Sequence, residues 1–204
     1  MIPHGTPLAV VRVHKTTGAM TSYSGWPGAL TPIAISAFGG VAYDPVRTRL
    51  WFVPMTGANN AIYMDVNTGV MGYCATAWPA GVGITSFKGT FVEGPNHLWL
   101  VPSQASKIVR VDMSDCSMTG YDPSGVTTLG TYGFGGAVFD GVRYGWFIPY
   151  TASHVVKLDT TDGSMTGFNT WPTSPIFVPG TYKFNGGAST VSPSGCHRTY
   201  WPRT

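Results

Sequence analysis

Three aspartates recur at a constant interval and could together supply chemistry. Asp65, Asp112 and Asp159 lie 47 residues apart, and carboxylates at equivalent positions of a repeat could surround a cation. Each of them, however, ends an apolar run and precedes a turn rich in Thr, Ser or Gly. An aspartate there accepts hydrogen bonds from the backbone amides of the turn. We therefore predict that these carboxylates cap turns. His14 occupies the same position in a fourth copy, which indicates that a negative charge is not needed there.

The histidines offer a second candidate chemistry. The chain contains His4, His14, His97, His154 and His197, and none of them has the spacing of a metal-binding motif. His97 and His197 precede equivalent strands, so opposite repeats could bring both imidazoles to one face as metal ligands or as an acid–base pair. We expect solvated loop residues instead, and we predict no metal site and no cofactor.

Groups for covalent or acid–base catalysis are few. The sequence contains no G-x-S-x-G motif for a serine nucleophile. Glu93 is its only glutamate, which excludes a paired-glutamate glycosidase, although a pair of aspartates remains open. Its glycine-rich stretches have neither the P-loop nor the Rossmann form. We therefore predict no catalytic residue.

The cysteines do not form a recognisable framework. Cys74, Cys116 and Cys196 allow at most one disulfide and leave one thiol over, and no C-x-x-C motif occurs. All three lie in or beside predicted turns. We expect incidental free thiols.

The composition indicates an apolar, turn-rich chain. Gly 27 and Pro 16 among 204 residues are about twice the usual share, and charged residues are only 10% against a typical ~25%. The basic residues are scattered, so nucleic-acid binding is not predicted. No apolar run is long enough to span a membrane, and no signal peptide is visible at the N-terminus. A sparsely charged surface is typical of contact sites for proteins or saccharides.

The elements that would position these residues are short repeated strands. Residues 134–168 contain four apolar runs separated by turn residues, which predicts a four-stranded antiparallel meander. The same pattern recurs elsewhere in the chain. The recurring positions are Met20, Met71, Met118 and Met165, Trp51, Trp99 and Trp146, and Phe38, Phe87 and Phe134.

Four units follow from this repetition. They span about residues 38–79, 87–123 and 134–172, with a split unit at 184–204 plus 1–27. Four-stranded units at a period of 40–50 residues are typical of propeller blades. We therefore predict a single all-β domain over residues 1–204, a four-bladed β-propeller of four-stranded antiparallel blades with one blade shared between the N- and C-termini. A fragment of a longer array and two chains closing an eight-bladed ring are the alternatives.

The repeat W-[FL]-[VI]-P … D-x-x-[TD]-G-x-M-T-G-[YF] resembles tandem propeller repeats of about 48 residues. It is distantly similar to streptogramin lyase-like and YVTN-type propellers. The matching residues in the second unit are Trp99, Lys107, Ile108, Arg110, Asp112, Met118 and Tyr121. The resemblance covers nearly the whole chain and implies a propeller. The lyase family also implies seven blades and a magnesium-assisted elimination by a histidine at the central funnel. No histidine of this chain matches that position, so no catalytic residue is carried over.

The tryptophans fall into two groups. Those in mid-strand are predicted to pack between blades. Trp26, Trp78 and Trp171 instead precede prolines in the loops between units. Aromatic rings on such loops can stack on sugar rings or on partner proteins, whereas the structural alternative is that they cover the next blade. We predict these three residues as the binding residues.

The repeats therefore favour a non-enzymatic binding or assembly module that recognises a protein or glycan through its blade-connecting loops. One alternative is a metal-assisted lyase or hydrolase at the mouth of the channel. Another is a repetitive structural subunit of a larger assembly. The sequence is compatible with a monomer or with a subunit of such an assembly.

Overall fold

The computed structural model describes residues 9–27, 37–56, 60–172 and 183–188, and within them the chain is all-β. The N-terminal hairpin consists of β1 (Val10–Val13) and β2 (Met20–Tyr23). The first sheet consists of β3 (Phe38–Asp44), β4 (Arg49–Pro54), β5 (Ile62–Asp65) and β6 (Met71–Tyr73). The second sheet consists of β7 (Phe87–Glu93), β8 (His97–Pro102), β9 (Ile108–Asp112) and β10 (Met118–Tyr121). The third sheet consists of β11 (Phe134–Phe139), β12 (Tyr144–Pro149), β13 (Val155–Asp159) and β14 (Met165–Phe168).

The three complete sheets are antiparallel meanders in which each strand pairs with the next one along the chain. The N-terminal hairpin is a two-stranded sheet that pairs Val10 with Tyr23 and Val13 with Met20. Each of the three predicted complete units thus folds into four strands, and the all-β class is confirmed. No described residue lies in a helix that is long and apolar enough to cross a membrane.

Proline and glycine set the ends of the strands as the repeats predict. The second strands end at Pro54, Pro102 and Pro149, because proline has no amide hydrogen to donate to the ladder. The turn after the third strand needs one residue with a positive φ angle, which glycine adopts without a steric cost. Gly69 has φ +76° and Gly163 has φ +77° at this position.

Apolar cores lie between neighbouring sheets. Trp51 is fully buried in the core between the first and second sheets, together with Leu98. Trp99 is fully buried in the core between the second and third sheets. The predicted position of these two indoles between blades is therefore confirmed. Trp146 is half-buried on the third sheet and stacks on Phe168 at 5.7 Å.

A repeated contact joins the outer strand of one sheet to a turn of the next. The Tyr23 ring covers Gly69, where a Cβ atom would lie only 2.3 Å from the ring. The Tyr121 ring covers Gly163 in the same way, at 2.2 Å. Glycine is therefore needed at this turn position for two reasons, its positive φ angle and the ring that lies over it.

A disulfide takes the place of that contact between the first and second sheets. Cys74, which follows β6, is bonded to Cys116, which stands at the glycine position of its turn and has φ +64°. The prediction of incidental free thiols is therefore wrong for this pair. Each cysteine lies in a separate unit, but the fold places the end of one outer strand beside the turn of the next sheet. Cys196 lies outside the described residues.

Residues 183–188 lie against the third sheet as a first strand would. The backbone amide of Lys183 donates to the carbonyl of Tyr150 at 2.8 Å. The amide of Gly133, just before β11, donates to Ser103 in the equivalent way at 2.7 Å. The second strand of the split unit, predicted to end at Pro202, lies outside the described residues.

Candidate functional site

The connections between the strands of each complete sheet lie at two opposite sides of the sheet, where the strands end. The turns after the first and third strands lie at one of them, which we call the hairpin edge. The loop after the second strand lies at the opposite edge, beside the start of the first strand, and we call this the loop edge. The loop edges of the three sheets lie together because their first strands approach closely. A Cβ atom on Gly40 would lie 3.4 Å from the Cα atom of Gly89, and one on Gly89 would lie 3.2 Å from that of Gly136.

The three tryptophans predicted to bind a partner all lie at the loop edge. Trp26 stacks on Phe38 with ring centroids 5.3 Å apart, and Trp78 stacks on Phe87 at 5.4 Å. Trp171 and Phe184 are 6.1 Å apart. Each indole is half-buried and covers the first residue of the following first strand, which is the structural alternative considered for these residues. This packing orients the indoles at the loop edge, and their role in binding stays a prediction.

The remaining junction has a different cap. Asp122 stands where the other junctions have tryptophan, and its Oδ1 atom accepts a hydrogen bond from the Ser124 amide at 2.9 Å. Hydrogen bonds from the Ser124 side chain and from its amide hold the pKa of the Asp122 carboxyl below its usual value. Pro123 is buried at the start of a 3-10 turn, Pro123–Gly125. The series of junction tryptophans is therefore interrupted between the second and third sheets.

The first strands leave almost no room for side chains at their second residue. A Cβ atom on Gly39 would lie 2.4 Å from the carbonyl oxygen of Phe87, and one on Gly135 would lie 2.5 Å from that of Phe184. The predicted crowding of glycine backbones is confirmed here. The second sheet differs, because Lys88 occupies the equivalent position of β7.

Lys88 makes long-range contacts at this point. Its Nζ atom donates to Oδ1 of Asn185 at 2.6 Å, and it lies 5.0 Å from the centre of the Tyr150 ring. Asn185 is itself the second residue of the segment 183–188, so two of the four equivalent positions carry polar side chains that meet each other. The repeat comparison missed this pair. The sequence nevertheless contained the signal for this pair, because Lys88 and Asn185 replace the first glycine of the F-G-G pattern.

The hairpin edge carries the repeated aspartates, and there they cap turns. Oδ1 of Asp65 accepts from the amides of Asn67 at 2.9 Å and Thr68 at 2.8 Å. Oδ1 of Asp159 accepts from the Thr161 amide at 3.0 Å. These observations confirm the predicted capping. The Thr68 bonds lower the pKa of Asp65.

Arg143 adds an ion pair to this edge of the third sheet. Its Nε atom donates to Oδ2 of Asp159 at 2.7 Å, and this bond is the main cause of a strongly lowered Asp159 pKa. A carboxyl whose pKa is lower in the folded state stabilises the fold fully above its unfolded value of about 3.9, and that contribution is lost as the pH falls through the lower, folded value.

The stability of the protein is therefore expected to fall on acidification below about pH 4. Arg143→Met should lower the midpoint of thermal unfolding at pH 7, and the difference from wild type should shrink only as the pH falls through the Asp159 pKa of the folded variant, which lacks the guanidinium that lowers this pKa. Thermal unfolding followed by circular dichroism at several pH values measures both effects. Lys15→Met removes the same charge from an exposed turn and is the matched control. An Arg143 effect that is independent of pH would contradict the assigned role of the ion pair.

His97 belongs to a cluster with a structural function. Its Nδ1 atom lies 2.9 Å from Oε2 of Glu93, which also accepts from Nε1 of the buried Trp99 at 3.1 Å. Nε2 of His97 lies 4.0 Å from Asp112. Glu93 thus accepts the hydrogen bond of a buried indole N–H. His197 lies outside the described residues. In the part of the chain that the structure describes, no three His, Cys, Asp or Glu side chains are placed to hold a metal ion.

Comparisons with known proteins show the fold. No protein-family model matches the sequence, and no curated protein matches it. The virginiamycin B lyase from Staphylococcus aureus is 19% identical and superposes with a TM-score of 0.57 over 82% of this chain and 50% of its own. A streptogramin B lyase is 16% identical, with a TM-score of 0.59 over 82% of this chain and 49% of its own.

A further similar structure is the extracellular domain assigned to a hybrid two-component system from B. thetaiotaomicron. It is 14% identical, with a TM-score of 0.54 over 74% of this chain and 21% of its own. The present chain spans about half the length of the two lyases. The predicted distant similarity to streptogramin lyase-like propellers is thereby supported, and at these identities it concerns the fold alone.

Proposed function

We propose that this protein is a non-enzymatic β-propeller module that recognises a protein or glycan through the loop edges of its sheets. The observation that carries the proposal is the Lys88–Asn185 contact at 2.6 Å. It departs from the repeat at the loop edge, where the first strands meet and where Trp26, Trp78 and Trp171 lie. Glycine at the same position in the first and third sheets shows that blade construction does not need a lysine there.

The proposed architecture is a four-bladed ring with one shared blade. The N-terminal hairpin supplies the third and fourth strands of that blade, and residues 183–188 begin its first strand. Contacts of the two parts of this blade with the first and third sheets support this architecture. Trp26 after the hairpin stacks on Phe38 of the first sheet, and the Phe184 amide donates to the Pro149 carbonyl of the third sheet at 3.2 Å.

A glycan array probed with the labelled intact chain tests the recognition function. Trp78→Leu keeps an apolar side chain over Phe87 but removes the aromatic face, so the affinity for any saccharide that contacts it should fall roughly tenfold. Tyr43→Leu is the matched control, because Tyr43 is an exposed aromatic residue beside the hairpin edge. The dissociation constants are measured by calorimetry, and the bound saccharide should be recovered with unchanged mass.

Two results would contradict the proposal. One is conversion of the ligand, detected as a new mass, because a recognition module leaves its ligand intact. The other is an equal loss of affinity in Trp78→Leu and Tyr43→Leu, because only Trp78 lies at the loop edge.

A further inference from the structure

The acidic residues are segregated to one edge of the sheets. Eight of the nine acidic residues of the chain lie at strand ends or in turns of the hairpin edge. They are Asp44, Asp65, Glu93, Asp112, Asp115, Asp140, Asp159 and Asp162. The ninth is Asp122, so every acidic residue of the sequence lies within the described ranges.

The loop edge is correspondingly basic. Lys88, Lys107 and Lys183 lie at the starts of first or third strands or just before them. The positive charge of Lys107 contributes to the lowered pKa of Asp122, so these two charges offset each other. Lys88 and Lys183 take part in none of the ion pairs found among the described residues. Both lie beside Tyr150, since the Lys183 amide donates to the Tyr150 carbonyl at 2.8 Å and Lys88 lies over its ring.

Because eight of the nine carboxylates lie at the hairpin edge and the ninth is offset by Lys107, we expect a positive potential around Lys88 and Lys183. An ammonium group has three hydrogens to donate, and one of those on Lys88 goes to Asn185. The side-chain amide nitrogen of Asn185 is a donor as well. The pair therefore presents hydrogen-bond donors and a positive charge beside the aromatic ring of Tyr150.

We propose that the loop edge binds the carboxylate or sulfate group of an acidic saccharide, with Lys88 as the residue that holds the anion. A saccharide fits better than an acidic peptide because sugar rings stack on aromatic rings, and Tyr150 lies directly beside Lys88. The inference rests on the proposed recognition function and specifies its ligand class.

Calorimetry with the intact chain tests this inference. The probes are an oligogalacturonate, its neutral methyl ester and a sulfated heparin-derived oligosaccharide, each at low and at physiological salt. The oligogalacturonate or the sulfated probe should bind at least tenfold more tightly than the ester, and added salt should weaken binding. Whichever acidic probe binds identifies the source of the anion.

Three variants complete the test. Lys88→Met should reduce the affinity for the acidic probe roughly tenfold or more, Lys88→Arg should retain most of it, and Lys107→Met should change it little. Near-ultraviolet circular dichroism confirms that each variant is folded. Equal binding of acidic and neutral probes, or of wild type and Lys88→Met, would overturn the inference and leave the recognition function standing if Trp78→Leu still weakens binding. Absence of binding to both acidic probes also overturns it.

Discussion

Removal of the Cys74–Cys116 disulfide is expected to lower the free energy of unfolding by about 4 kcal/mol, since the bond closes a loop of 42 residues. For a chain of this length such a loss corresponds to a fall of roughly 8 to 16 °C in the unfolding midpoint. The bond constrains the unfolded chain, and in the folded state it joins the first sheet to the second. Denaturant unfolding of Cys74→Ala/Cys116→Gly against wild type measures the effect.

The choice of glycine at position 116 matters. Cys116 has φ +64°, so alanine there would add the strain of a left-handed conformation, about 1 kcal/mol, which glycine avoids. Cys74→Ala/Cys116→Ala should therefore be less stable than the glycine double variant by that amount. Wild type in reducing buffer is the control for the bond alone. Equal stability of the oxidised and reduced wild-type protein would contradict the role given to the disulfide.

The fold could be predicted from the sequence because its determinants recur. Proline at the end of each second strand, glycine at the positive-φ turn and tryptophan in mid-strand each act within one unit. Each has a local physical reason. Proline lacks an amide hydrogen to donate, glycine avoids the steric clash of a positive φ angle, and tryptophan buries a large apolar surface. Gly69 and Trp51 illustrate this, because each occupies the position that its local pattern requires.

The disulfide and the Lys88 site could not be predicted in the same way, because they depend on contacts between units. Cys74 follows a strand and Cys116 lies in a turn, and only the packing of one sheet on the next brings them together. Lys88 and Asn185 occupy equivalent positions in two units separated by 97 residues. A comparison of the repeats identifies the residue type that the units share, and it therefore overlooks a position at which one unit differs. The informative signal was the departure from the repeat, a cysteine or a lysine where glycine is usual.

Closure of the ring is expected to add a contact that the structure shows at the other junctions. By the repeat, Gly18 corresponds to Cys116 and Asn169 corresponds to Cys74. Gly18 already has φ +71°, the conformation that this contact uses. Met20 is 70% exposed and Phe168 is 45% exposed, whereas the equivalent methionines of the three complete sheets pack against the cores. Docking of the third sheet on the N-terminal hairpin would cover both side chains.

Cysteines at Gly18 and Asn169 should therefore form a disulfide within one chain. The variant Gly18→Cys/Asn169→Cys is made with Cys196→Ser so that no other thiol competes. Because the new bond closes a loop of about 150 residues, oxidation should raise the free energy of unfolding by about 5 kcal/mol. Non-reducing electrophoresis, peptide mass mapping and denaturant unfolding of the oxidised and reduced forms measure the result.

A matched control uses a junction that is already in contact. The native pair Cys74 and Cys116 occupies the equivalent positions between the first and second sheets, so after reduction it should oxidise readily under the same conditions. If the control oxidises and Gly18→Cys/Asn169→Cys instead forms a covalent dimer, two chains close an eight-bladed ring and the four-bladed monomer is wrong. If the control oxidises and the test pair stays reduced, the third sheet and the N-terminal hairpin do not meet, and the shared blade is contradicted. A cross-link within one chain thus distinguishes the four-bladed ring from both alternatives, because it requires the N-terminal hairpin and the third sheet of the same chain to be in contact.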